Sequence, residues 1–228
     1  MGASEVNLLE LATAYRTIAS GVVRQPYVIR QIVRDSGEVV GENEHHDRPI
    51  FMADGALSLI QEGLRGVVRI PTGTAHALDS RRFPIAVMGK TGTTNEFRDA
   101  LFVGSTYGVD GITVAVRIGF DDNRSLGSKE TGGRVALPVF QELMLKVYRD
   151  GIVGPVPAFP DQMEQRITRY LQGDAAALVV TVARPIVGVG TLHGHASPAE
   201  SEWLLHHASV FGPIPTTKSS WVKPIREN

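Results

Sequence analysis

Apolar positions recur along the chain in two alternating rhythms. Leu8, Leu11, Ala12, Tyr15, Ile18 and Ala19 repeat at helical spacing, which predicts an amphipathic helix with Ser4 as its N-cap and Gly21 as its stop. The rhythm then changes to period two. "YVIRQIVRD" and "EVVGE" alternate on either side of Ser36-Gly37, the pattern of a β-hairpin. Pro49 is read as opening a second helix that runs to about Gly66, with Phe51, Leu57, Ile60 and Leu64 on its apolar side. A link rich in Gly and Thr, "PTGTAHAL", leads to "FPIAVMGKTG". Two further alternating runs, "DALFVGSTYG" and "GITVAVRIGF", meet at Val109-Asp110 and predict an antiparallel hairpin. A polar loop, "DDNRSLGSKETGGR", precedes a last amphipathic helix from about Val135 to Arg149. Strands clustered together instead of alternating with helices indicate an α+β architecture, an antiparallel sheet covered by helices.

Gly and Pro crowd into "GIVGPVPAFP", 151 to 160, and the sequence reading divides the chain there into residues 1–150 and an extension, 151–228, of unassigned role. In the extension, Asp161 with Glu164 and Ser197-Pro198 with Glu200 have capping-box spacing, so two short helices are expected. The whole chain, 228 residues with a net charge of -1, can bury a sizeable core and lacks the basic balance of a nucleic-acid binder. Without cysteine, disulfides and cysteine-rich zinc sites are excluded. The opening residues carry no signal-peptide pattern, and "AAALVVTVA" at 175 to 183 is too short to span a bilayer.

The chemistry concentrates in "VMGKTGTTNEFRDALFVGS", 87 to 105. A phosphate-binding loop would need glycine five residues before Gly89, where Pro84 stands, and a helix after the lysine, where "TGTTNEFRD" is a poor helix former. That reading fails. The alternative is a K-T-G element, a strand signature of serine transpeptidases and class A β-lactamases. "GKTGTTNEFRDALFVG" resembles the corresponding segment of class A penicillin-binding proteins. "GASEVNLLELATAYRTIASG", "LIQEGLRGVVRIPTGTA" and "VAVRIGFDDNRSLGSKETGGRVALPVF" resemble their flanking helix, helix-and-link, and closing strands with last helix. The four segments follow the family's order over residues 1 to about 149.

This resemblance implies part of the penicillin-recognising serine transpeptidase fold, which is β-lactamase-like, and the cross-linking of peptidoglycan stem peptides. It carries the family's K-T-G onto Lys90, Thr91 and Gly92, with Thr93 and Thr94 following. Lys90 would set the electrostatics of the cleft, and the hydroxyls of Thr91 and Thr93, with Thr94 beside them, would meet the substrate carboxylate. The amide of Thr93 would be an oxyanion donor. Gly92 would leave room for a substrate peptide. Leu101 stands where the family carries tryptophan. Stem peptides and β-lactams are the implied ligands, no cofactor is implied, and the implied location is the periplasmic face of the inner membrane.

Two family signatures do not precede K-T-G. No S-x-N occurs, and the one S-x-x-K, Ser220 to Lys223, lies near the C-terminus and is followed by Pro224, which disfavours a helix there. The sequence reading is therefore a transpeptidase fragment that lacks the N-terminal half of the domain, has no nucleophile and is inactive alone. A non-catalytic binding or scaffold protein, and one half of a split enzyme completed by a second chain, remain as alternatives. His193, His195, His206 and His207 have no spaced ligand frame for zinc, and "DDNRSLG" lacks the glycine of a calcium loop. No metal is expected.

Overall fold

The computed structural model describes residues 5–43, 46–50 and 55–178. The chain divides into two units, Met1–Arg184 and Pro185–Asn228, and every described residue lies in the first. Helix α1 (Leu8–Ser20) opens it. Its N-cap is Asn7, whose side chain accepts from the Glu10 amide while the Glu10 carboxylate accepts from the Asn7 amide. That capping box places the N-cap three residues later than expected, and Ser4 lies outside the described residues. Gly21 ends it as anticipated, at φ 74°, where a side chain would be strained.

Strand β1 (Val22–Val23) pairs with β4 (Arg48–Pro49), and between them β2 (Gln31–Val33) pairs antiparallel with β3 (Val39–Glu42). The expected hairpin around Ser36-Gly37 is present. Pro49, read from sequence as a helix start, is instead a strand residue opposite Val22, at a sheet edge where its missing N–H costs nothing. Phe51 lies outside the described residues. Helix α2 (Ala56–Arg69) begins later and continues past Gly66. Its buried residues are Gln61, Glu62, Arg65, Gly66 and Val68, whereas Ile60 is exposed. The helix thus turns charged side chains inward beside Leu64, which is half-buried and packs on the core around Met88. The short helix α3 (Ala77–Ser80) follows.

The main sheet consists of β5 (Met88–Thr93), β6 (Asp99–Ser105) and β7 (Thr113–Gly119), in that spatial order and antiparallel throughout. Register sets Lys90 opposite Val103, Gly92 opposite Leu101, and Leu101 opposite Arg117. Helix α4 (Ala136–Arg149) covers one face. Phe140 and Phe102 are fully buried there and meet edge-to-face with ring centroids 4.7 Å apart. Val68, Leu78, Val87 and Met144 complete this core.

Helix α5 (Asp161–Leu171) lies beyond the Gly/Pro-rich stretch, yet packs in the same unit. Phe159, Met163 and Ile167 bury against Ala19 and Met88. The expected Asp161–Glu164 capping box does not form: Pro160 is the N-cap, and no side chain caps the helix. Glu164 has other partners. Ser197, Pro198 and Glu200 lie outside the described residues.

Candidate active-site strand

All the K-T-G residues lie on β5, the outer strand of the main sheet. In an antiparallel pair, successive residues alternate between bonding the neighbour strand and pointing away from it. The Thr94 amide donates to the Asp99 carbonyl at 3.1 Å, which fixes the phase. Gly92, Lys90 and Met88 bond β6, and the backbone groups of Thr93, Thr91 and Gly89 point to the free edge. Val87 confirms it: its carbonyl faces away from β6 and accepts from Arg65 Nη1 at 2.7 Å. Among the described residues no strand pairs with this edge. The amide of Thr93 therefore stands at an open strand edge.

Side chains divide by the same alternation. Thr91 and Thr93 share the face of Phe102 and Ala100, and Lys90 and Gly92 share that of Val103 and Leu101. Lys90 is exposed, and its ammonium donates to the Thr91 carbonyl at 2.9 Å. Thr91 Oγ1 lies 2.6 Å from Thr74 Oγ1. Thr93 Oγ1 accepts from the Gly132 amide at 3.2 Å, and Thr94 Oγ1 accepts from the Asp99 amide at 2.7 Å. Thr93 and Thr94 each keep a hydroxyl proton to donate, and the Thr74–Thr91 pair has one proton to spare. Three hydroxyl protons and one ammonium thus accompany a strand edge, an arrangement that suits a carboxylate-bearing extended peptide.

Thr74 and Gly132 are absent from the site residues read from sequence. Thr74 lies in the "PTGTA" link, and the Gly-Gly pair at 132–133 was the available signal for close backbone packing. A Cβ on Gly132 would lie 2.1 Å from the Leu101 carbonyl oxygen and 2.5 Å from that of Gly92. The turn after β5 is also fixed. Glu96 and Phe97 have φ of 59° and 56°, Ser125 Oγ donates to the Glu96 carbonyl at 2.6 Å, and the Leu126 amide donates to Phe97 at 2.8 Å. This gives "DDNRSLG" a structural task, docking on the turn. Ser220, Lys223 and the four histidines of the tail lie outside the described residues.

Residues 1–145 match the family model for the penicillin-binding protein transpeptidase domain. A penicillin-binding protein 1A of Aquifex aeolicus is 37% identical over 151 residues, covering 65% of this chain and 20% of the relative. One of Rickettsia bellii is 30% identical over 243 residues, covering 96% of this chain and 29% of the relative. Among solved structures, penicillin-binding protein 1A of Haemophilus influenzae aligns with a TM-score of 0.54 and 22% identity, over 70% of this chain and 29% of that one. The fold is therefore a part of the penicillin-binding transpeptidase fold, and the chain spans 20–29% of the length of the two sequence relatives. With almost two thirds of its residues inside the matched domain, this chain belongs to the penicillin-binding protein transpeptidase family.

Proposed function

We propose that residues 1–150 form the K-T-G wall of a D,D-transpeptidase cleft, in which a peptidoglycan stem peptide or a β-lactam lies along the free edge of β5. The open edge at Thr91–Thr93 supports this reading most. An extended peptide can add to such an edge through main-chain hydrogen bonds. The hydroxyls of Thr91, Thr93 and Thr94 then donate to its carboxylate, and Lys90 supplies compensating positive charge. The Thr93 amide, which has no β6 partner by the ladder phase, donates to the oxygen that becomes negative when the acyl carbon turns tetrahedral.

The serine that attacks that carbon, with its S-x-x-K lysine and the S-x-N wall, comes from sequence outside residues 1–150. The bond formed is serine Oγ to acyl carbon; the bond broken is the D-Ala amide, or the lactam amide of a β-lactam, whose nitrogen takes the proton. The proposed setting is the periplasmic face of the membrane. Among the described residues no helix is long and apolar enough to cross a bilayer.

The test is acylation by a fluorescent penicillin. The chain alone should form no adduct that survives denaturing electrophoresis. Co-expressed with a polypeptide carrying S-x-x-K and S-x-N, it should restore labelling on the partner's serine. Lys90→Ala should then slow acylation about 10²–10³-fold, the scale for removing one preorganised electrostatic group. Labelling of the chain alone, or a Lys90→Ala rate equal to wild type, would refute the proposal.

A further inference from the structure

Helix α5 lies wholly beyond residues 1–145, the stretch matched by the transpeptidase-domain family model, yet it supplies the counter-ions for the buried charges of α2. Glu62, 3% exposed, accepts from Arg166 Nε at 2.9 and 3.0 Å and from Nη2 at 2.5 Å. Glu164 accepts from Arg65 Nε at 2.7 Å and from Arg69 Nη1. Arg69 Nε approaches Asp79 at 3.3 Å without hydrogen-bond alignment, so Glu164 is its main partner.

Arg65 connects this network to the sheet. Its Nη1 donates to the Val87 carbonyl, on the free-edge side of the chain just before β5, and its guanidinium lies 4.7 Å above the Phe159 ring. Burial holds the Arg65 guanidinium below its ordinary value, and the hydrogen bond to Glu164 offsets only part of that shift. A buried cation that loses its carboxylate must move toward water or stay unpaired at high cost. Movement toward water releases Val87, three residues before Lys90, and an unpaired guanidinium left in place favours that movement. Met163 and Ile167 bury against Met88 of the same strand.

We infer that α5 is a clamp for the K-T-G strand, with Glu164 as a positioning residue that acts through Arg65 on Val87. The clamp makes part of the 151–228 extension integral to the cleft wall. Its effect on acylation rests on the function proposed above; its effect on the strand does not. The Glu62–Arg166 pair anchors the middle of α5, and Glu164 transmits to β5.

Residue-resolved amide exchange on the full chain tests this without any activity. The protected amides of β5 are those of Met88, Lys90 and Gly92, and those of Val114, Val116 and Ile118 report the β6–β7 pairing. Glu164→Gln keeps the shape and removes the charge. Exchange at the three β5 amides should accelerate about tenfold or more, with the three β7 amides unchanged. Glu164→Asp should fall between wild type and Glu164→Gln, and Arg69→Gln should affect β5 less, because Arg69 does not reach Val87. If Glu164→Gln fails to fold, Glu164→Asp must still accelerate β5 ahead of β7. Equal acceleration of both strands would show α5 to be general ballast and overturn the inference. So would an unchanged β5, or an Arg69→Gln effect as large as that of Glu164→Gln.

Discussion

Adding one methyl group at Gly132 should unseat the loop that closes over the K-T-G strand. Its backbone lies outside the left-handed region, so alanine meets no strain from φ; the whole effect comes from contacts. The added Cβ would lie 2.1 Å from the Leu101 oxygen, 2.5 Å from the Gly92 oxygen and 3.1 Å from the Leu101 carbonyl carbon. Both oxygens accept ladder hydrogen bonds between β5 and β6, so neither can retreat without breaking the sheet. The loop must lift instead, by about an ångström, to restore ordinary separations.

That movement weakens named bonds. The Gly132 amide loses its bond to Thr93 Oγ1, and the Gly132 carbonyl accepts from the amides of Ala136 and Leu137 at the start of α4. Overpacking costs about 1–3 kcal/mol and each weakened hydrogen bond about 0.5–1.5 kcal/mol, so we expect Gly132→Ala to destabilise by roughly 2–5 kcal/mol. Urea unfolding followed by far-ultraviolet circular dichroism measures it. Gly63→Ala is the internal control: Gly63 is exposed on α2 with nothing near its missing Cβ, so alanine there should stabilise by about 0.5–1 kcal/mol through helix propensity. The two midpoints should move in opposite directions. A Gly132→Ala midpoint at or above wild type would refute the contact argument.

Three other outcomes follow from neighbouring contacts. Gly92→Ala meets the Leu101 side chain at 3.1 and 3.2 Å, so it should cost less than Gly132→Ala in the same titration, and Leu101→Ala should recover part of the loss. Phe140→Ala removes a fully buried ring packed on Phe102 and should cost about 3–5 kcal/mol; a cost below about 1 kcal/mol would mean that α4 does not seal the core as described. Asn7→Ala should cost about 1 kcal/mol of helix stability, and Glu10→Ala on top of it should cost much less than alone, since the capping box is reciprocal.

What the sequence made legible had strong local period or a fixed motif. The β6–β7 hairpin, the β2–β3 hairpin and α4 all appear where alternation or helical spacing placed them, and K-T-G falls on a strand. The misses share a different cause. Helical spacing puts Leu57, Ile60 and Leu64 on the inward face of α2, where Leu64 does pack on the core, but the most buried side chains there include Gln61, Glu62 and Arg65, because partners elsewhere in the chain offset the burial of the two charges: Arg166, Glu164 and the Val87 carbonyl. No periodicity rule holds that information. Asp161 and Glu164 have capping-box spacing, yet Glu164 is worth more to two arginines about a hundred residues away than to a helix end. Pro49 has the look of a helix start, and only its pairing with Val22 reveals an edge strand.

Gly92 meets two spatial demands at once. From sequence, its missing Cβ leaves room for a substrate chain. In the sheet, that missing Cβ faces Leu101, directly opposite on β6, so the glycine also accommodates a large cross-strand neighbour on its own face. The two demands are compatible because they use different directions: the Cβ position stands above the sheet, whereas the outward backbone groups of Thr91 and Thr93 lie in its plane. An exposed strand edge is ordinarily a site of unwanted pairing, and one that must receive a peptide has to stay rigid while remaining open. Here the rigidity comes from outside the ladder. Arg65 holds the chain at Val87, Thr74 holds Thr91, and Gly132 holds Thr93. Of these contacts, the one at Val87 uses the outward backbone, and those at Thr91 and Thr93 use only side chains. The strand is fastened at three points, and at the two threonines where a peptide would bind no described strand pairs with its edge, the Thr91 carbonyl meeting the exposed Lys90 ammonium.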